Sequence, residues 1–186
     1  AGREDWGNLE YLMDTAFQAG LSVSALSMEN LGWDQTQFVD LNDQAINHLF
    51  KLYPWEWIWE ENFSTFIKPD SQWIEPCWKM LLSNKAILVE LWKQFPHHSL
   101  LLESHAFNPN DRFNGKWVRK PILAREGANI HIIQNNVDCG EASGSFHFED
   151  YDKYGYIIQK WAPTPLHEGM LPTLGLWMVG DECSGL

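Results

Sequence analysis

Apolar residues follow two rhythms along this chain. Leu9, Leu12, Met13, Ala16 and Phe17 recur at helical spacing, with Asn8 as a cap and Gly20 as a stop, which predicts a first helix. Leu21 to Met28 reads as a strand. Gln37 to Leu41 and Ala45 to Tyr53 read as two more, joined through the turn chemistry of Asn42-Asp43, so a hairpin is expected there. Pro54 opens PWEWIWEENF, a short helix with proline in its first turn and Trp55, Ile58 and Trp59 on one face. The clearest second helix is SNKAILVELWKQF (83–95), capped by Ser83 or Asn84 and ended by Pro96. Its buried stripe is Ile87, Leu88, Leu91, Trp92 and Phe95. Leu100 to Phe107 reads as a further helix, and Phe107 to Gly115 as a polar loop.

From Lys116 the rhythm shortens to that of strands. Trp117 to Ile122 and Asn129 to Gln134 flank the loop LAREGAN, and Tyr154 to Trp161 and Thr173 to Val179 are two more strands. A connection rich in proline and glycine, APTPLHEGMLP, separates the last pair. No internal repeat and no low-complexity segment interrupts the pattern. Helical segments first and strands later predict an α+β fold of mixed and antiparallel sheets with flanking helices.

Composition narrows the function classes. The chain has 186 residues, 13 Lys+Arg against 25 Asp+Glu, a net charge of −12 and an apolar share of 45%. That is enough apolar material for one packed domain, or one large piece of a bigger one. The acidity argues against a general nucleic-acid surface, which needs a basic stripe, and against docking on anionic lipid. No segment stays apolar for the roughly 18 residues of a membrane span, and no basic region followed by an apolar run stands at the start. Cys77, Cys139 and Cys183 are odd in number and lack metal-knuckle spacing, which suits reduced thiols and a cytoplasmic location. The chain opens without Met and stops just after a strand-like run, so a piece of a larger domain is expected.

Chemistry concentrates in VRKPILAREGANI (118–130). Lys120 lies in a strand otherwise apolar at Val118 and Ile122, and an interior-facing ammonium is costly unless an anion meets it. Pro121 prevents pairing on both sides along the whole strand. Arg125-Glu126-Gly127-Ala128 forms a turn that Gly127 lets fold back, and such a tip can lay backbone N–H groups over a polyphosphate. The plain reading of the same residues is an ordinary hairpin with an exposed Arg-Glu pair. Lys85 stands at a helix start, where a cation opposes the dipole and a phosphate fits; the plain reading is a solvated lysine. The strand end YGYIIQKWAP can offer one acceptor and one donor to an adenine edge, as many strand ends can. The 11 tryptophans read as core, with a sugar- or base-stacking platform as the alternative. His97-His98 point apart, and neither His131 nor His147 has metal-site spacing. No G-x-S-x-G, Walker lysine loop or G-x-G-x-x-G occurs.

Five blocks then stand in a familiar order: KLYPWEW (51–57), IEPCWKMLLSNKAIL (74–88), VRKPILAREGANI (118–130), IIQKW (157–161) and LGLWMVGDECSGL (174–186). Together they resemble the glutathionylspermidine synthase family of ATP-grasp ligases, especially its stand-alone bacterial acid–amine ligase branch. The resemblance implies an incomplete ATP-grasp-like fold over 1–186, the C-terminal portion of the synthetase domain. Residues 1–115 would be its helical and hairpin part, and 116–186 its nucleotide-binding strands. It implies joining of a small carboxylate or peptide to an amine through an acyl phosphate, with ATP and Mg²⁺. Lys85 and Lys120 match family lysines on the ATP phosphates, and Glu126 and Gly127 the loop closing on the nucleotide. Gln159, Lys160, Trp161 and Ala162 match the adenine-reading hinge, and Thr173 a further position near the nucleotide. No catalytic side chain and no metal ligand is carried over. The family's magnesium-binding acidic motif has no counterpart here and is expected upstream, and an Arg that follows the SGL block is absent. Leu52 stands where spermidine-making members carry a Thr in their glutathione site, which favours another acid or peptide. The competing class is a non-catalytic, tryptophan-rich carbohydrate- or peptide-binding module.

Overall fold

The computed structural model describes residues 3–68, 72–142, 145 and 147–185. The chain divides into two compact units, Ala1–Ser83 and Asn84–Leu186.

In the first unit, helix α1 (Arg3–Gln18) begins ahead of the expected cap Asn8. It closes where expected, with Gly20 at φ +82 and its N–H donating to Phe17 O at 2.9 Å. Leu21 to Met28 is not a strand: it runs without regular structure into a 3-10 turn at Met28–Asn30, because no described segment pairs with it. A two-stranded antiparallel ribbon follows, β1 (Gly32–Trp33) with β2 (Phe38–Val39). Asp34 holds its turn through hydrogen bonds from the Thr36 hydroxyl and the Thr36 and Gln37 amides, which keep its carboxyl far below the usual range. The Asn42-Asp43 turn also forms, but the return segment meets β2 only at an isolated bridge between Val39 and Ala45. Strand β3 (His48–Phe50) pairs elsewhere, parallel to β4 (Gln72–Ile74), with helix α2 (Trp55–Ile58) between them in the chain. The core of this unit is Phe38, Trp55, Ile58 and Trp73. Phe38 and Trp73 meet edge to face at 5.5 Å, and Trp55 stacks on Trp59 while its indole N–H donates to Glu75 O at 3.1 Å.

In the second unit, helix α3 (Ala86–Gln94) is capped by Asn84, whose Oδ1 accepts the Ala86 N–H at 2.8 Å. The expected stripe holds in part, with Ile87, Leu88, Leu91 and Trp92 half-buried. Val89 is its most buried residue at 4% exposure, whereas Phe95 is 53% exposed. A short helix resting on a sheet buries residues around the contact line rather than along an ideal stripe. Leu100 to Phe107 is not a helix. It contains strand β5 (Ser104–Ala106), which packs against α3 and pairs antiparallel with β9 (Tyr156–Lys160). A helix and a buried strand are hard to tell apart in so short an apolar run, and the ladder decides.

The central sheet has five antiparallel strands in the order β5-β9-β6-β7-β8, with β6 (Lys116–Pro121), β7 (His131–Gln134), β8 (Val137–Glu141) and β9 (Tyr156–Lys160). Pairing of β6 with β7 stops at Arg119↔His131, before Pro121, while Pro121 still lies opposite Tyr156 of β9. Strand β8 was not anticipated. Asn135 and Asn136 at φ 48 and 70 make the tight turn into it, and much of its sequence is polar. Alternation puts Trp117, Ile133 and Ile158 in one core cluster with Phe107 and Phe113, and Val118, Lys120, Ile157 and Gln159 on the opposite face. Beyond residue 161 the chain is exposed and lacks a strand until a small, equally exposed hairpin, β10 (Trp177–Val179) with β11 (Glu182–Gly185), so the strand expected from Thr173 begins later. The fold is mixed α/β with mostly antiparallel sheets.

Candidate functional site

The register of β6 against β9 sets Val118 opposite Gln159 and Lys120 opposite Ile157. Lys120 and Gln159 are therefore diagonal neighbours on one face. Lys120 Nζ donates to Gln159 Oε1 at 2.8 Å, and Gln159 Nε2 donates to Ser104 Oγ at 3.0 Å. Ser104 Oγ in turn donates to Leu102 O at 2.9 Å. Gln159 and Ser104 are buried, so the amide has one available orientation, with its oxygen toward the ammonium. Loss of hydration lowers the Lys120 pKa, and the hydrogen-bond partner described for it is neutral.

Lys85 is tied to the segment following β6 at two points. Its backbone N–H donates to Ile122 O at 2.9 Å and its Nζ to Ala124 O at 2.8 Å. That segment continues into the expected turn, closed by the Ala128 N–H on Arg125 O at 3.0 Å. Glu126 and Gly127 have φ 54 and 75, the signature of a type I′ turn, and both are exposed. The Glu126 and Gly127 backbone thus stands at the tip, with the start of α3 latched behind it.

The hinge residues diverge. Lys160 belongs to the other sheet face, with its ammonium 4.6 Å from the Trp117 ring. Trp161 lies under the Lys116 ammonium at 3.7 Å and is 37% exposed. Their amides are already used, Lys160 N–H on Glu103 O at 2.8 Å and Trp161 N–H on Lys116 O at 3.1 Å. Ala162 and Thr173 lie in the exposed connector. The structure thus brings Lys120 to Gln159 and Lys85 to the loop of Glu126 and Gly127; Lys160 faces away, and Thr173 stands outside any strand.

Two groups escaped the sequence reading. Ser104, the support of Gln159, lay in a segment read as helix. Asn129, at the end of LAREGAN, is buried with φ 54 and makes hydrogen bonds to Phe148 and Asp152. An Asn two residues after a turn glycine was the available signal. The Tyr156 hydroxyl also donates to Asp152. That bond comes first in holding the Asp152 carboxyl below its usual range, while burial and the nearby carboxylate push Tyr156 up to about 12. Asp138 of β8 bridges Arg119 of β6 and His131 of β7.

A cleft of about 260 Å³ in the first unit is lined by Trp33, Phe38, Phe66 and Trp73 with Thr36 and Lys68. Trp33 and Phe66 stack on each other at 4.7 Å, so these rings largely pack among themselves rather than forming an open platform. Among the described residues no three His, Cys, Asp or Glu side chains are grouped to hold a metal ion, and no helix is long and apolar enough to cross a membrane.

Comparison with known proteins adds the lineage. The family model described as glutathionylspermidine synthase preATP-grasp matches residues 1–186. A Haemophilus influenzae protein named "Putative acid--amine ligase" is 44% identical over 192 residues, covering 100% of this chain and 49% of that protein. The bifunctional glutathionylspermidine synthetase/amidase of Escherichia coli is 27% identical over 165 residues, 74% of this chain and 26% of its own. Trypanothione synthetase of Crithidia fasciculata is 24% identical over 221 residues, 96% of this chain and 33% of its own. The chain therefore spans about half the length, or less, of these curated relatives. With a family model matched from end to end and a close relative aligned over all of it, the chain belongs to the glutathionylspermidine synthase preATP-grasp family.

Proposed function

We propose that this chain supplies nucleotide-binding strands to an ATP-dependent acid–amine ligase, as an incomplete, ATP-grasp-like C-terminal part of the synthetase domain. A carboxylate oxygen attacks the γ-phosphorus, the bond to the bridging oxygen breaks, and ADP leaves. The amine nitrogen then attacks the acyl carbon, phosphate departs, and the nitrogen gives up a proton. The observation that carries this reading is Lys120, a half-buried ammonium held by the neutral amide of Gln159, for which burial without a carboxylate is costly unless an anionic ligand meets it. Lys85 and Lys120 hold phosphate charge, the turn of Glu126 and Gly127 covers it, and Gln159 to Ala162 read the base, with Thr173 nearby. With the Lys160 and Trp161 amides taken within the protein, the reading assigns the adenine edge to the Ala162 N–H.

Among the described residues no three candidate magnesium ligands are grouped, and a magnesium ion held between phosphates needs only one or two carboxylates. In this reading its main ligands come from upstream. Leu52, in place of a threonine, favours an acid other than glutathione. The three exposed free thiols support a cytoplasmic setting.

Titration of ATP with Mg²⁺ into the protein, followed by calorimetry, is expected to release or absorb measurable heat and to raise the melting temperature. No heat and no thermal shift at millimolar ATP sinks the reading.

The pH dependence has a definite sign. Burial lowers the folded-state pKa of Lys120, so between that value and the ordinary 10.5 the unfolded chain binds more protons, and stability rises with pH through this window. Bound triphosphate favours the charged ammonium. ATP affinity is therefore expected to fall as pH rises through the lowered pKa, with proton uptake on binding. Calorimetry in buffers of different ionisation enthalpy measures that uptake, and Lys120→Met should abolish it.

A further inference from the structure

The turn bearing Glu126 and Gly127 is held from behind by one buried side chain. Asn129 is 1% exposed, and its backbone sits at φ 54, a region asparagine tolerates better than most residues. Its Nδ2 donates to Phe148 O at 2.9 Å and to Asp152 Oδ1 at 2.5 Å, while its Oδ1 accepts the Phe148 N–H at 2.6 Å. Asp152 is oriented in turn by the Tyr156 hydroxyl at the start of β9. Ser145 braces the same turn a second way: its hydroxyl donates to Gly127 O at 2.7 Å and accepts the Ile130 N–H at 3.0 Å. The C-terminal side of the exposed tip is thus tied, at Gly127, Asn129 and Ile130, to a segment well downstream in the chain.

Resting on the nucleotide reading above, we propose that Asn129, seconded by Ser145, is the positioning residue of the phosphate-covering turn. Both protons of its amide nitrogen and one acceptor position of its oxygen are engaged within the protein. Its contribution is to hold the tip in the one conformation that presents the Glu126 and Gly127 amides, so that ordering the loop is not charged to ATP binding. Loss of the anchor therefore weakens ATP capture and leaves turnover at saturation nearly intact, the behaviour of lost uniform binding.

The test uses the gene product that carries this chain. Asn129→Gly tolerates the positive φ and removes the side-chain bonds while adding some backbone freedom; Ser145→Ala removes the second brace without that added freedom. Each is expected to raise the Kd for ATP about tenfold, with kcat for phosphate release within about twofold of wild type. Ile133→Val, in the core cluster on the opposite sheet face, serves as the stability control: it should lower Tm comparably and leave the Kd unchanged. If wild type binds ATP and both variants bind equally well, or the control weakens binding as much, the positioning role is overturned and the nucleotide reading survives. Absence of ATP binding by wild type sinks both.

Discussion

Replacing Lys120 by alanine is expected to lower ATP-dependent phosphate release by at least about tenfold in the gene product that carries this chain. The reasoning begins with solvation. An ammonium in this half-buried position loses water, and its pKa falls accordingly. What it receives in return is one neutral acceptor, Gln159 Oε1 at 2.8 Å. That acceptor is itself fixed by Ser104, so the ammonium is pre-aimed and need not reorganise when charge moves onto phosphate oxygens. Alanine removes both charge and stem, so Lys120→Met is the sharper variant. Methionine fills the same space without the charge. Removing a poorly solvated cation favours folding, while leaving Gln159 Oε1 without its donor opposes it. The melting temperature should therefore move little while phosphate release collapses. Phosphate release measured with a coupled assay decides the matter: unchanged release in both variants removes Lys120 from the site.

The largest expected loss of stability follows Ile158→Ala. Ile158 is 0% exposed on β9, between β5 and β6, and belongs to the cluster of Trp117 and Ile133. Truncation removes apolar burial and leaves a cavity that flanking strands cannot easily close, at a cost of about 2–5 kcal/mol. Against a total of about 5–15 kcal/mol for a typical domain, that is a large fraction. Urea denaturation should show a lower midpoint with an unchanged slope. An unmoved midpoint would mean that this cluster is not the packed centre of the sheet. The next residue in the chain is Gln159 on the other face, so the strand that supports the core also aims the Lys120 partner.

Legibility in the sequence followed the range of the interactions involved. Strands β6, β7 and β9 were readable as short runs rich in β-branched and aromatic residues, and LAREGAN carries its own turn chemistry between the first two. Helix α3 was readable from its cap and its proline stop, though Val89, not Phe95, is what its packing buries most. The segments 21–28 and 100–107 were misread, and for one reason. Short apolar runs take the state their partners impose: the first finds no described partner strand, and the second finds β9. The hairpin expected around Asn42-Asp43 kept its turn and lost its return strand, because β3 pairs with β4 across a long stretch of chain that no local pattern encodes.

For the candidate site, the sequence by itself determined the chemical parts: two lysines in unlikely places, a turn at Arg125-Glu126-Gly127-Ala128 that Gly127 lets fold back, and a strand end able to offer backbone groups. Residue type and immediate neighbours suffice for these, since solvation and backbone sterics are local. Only the tertiary structure decided which parts meet. Lys120 and Gln159 are 39 residues apart in the chain and Asn129 and Asp152 are 23 apart, and it is antiparallel register and downstream hydrogen bonding that join them. The same register sends Lys160 to the opposite face from its neighbour Gln159, because successive side chains on a strand point opposite ways, and no motif adjacency overrides that geometry.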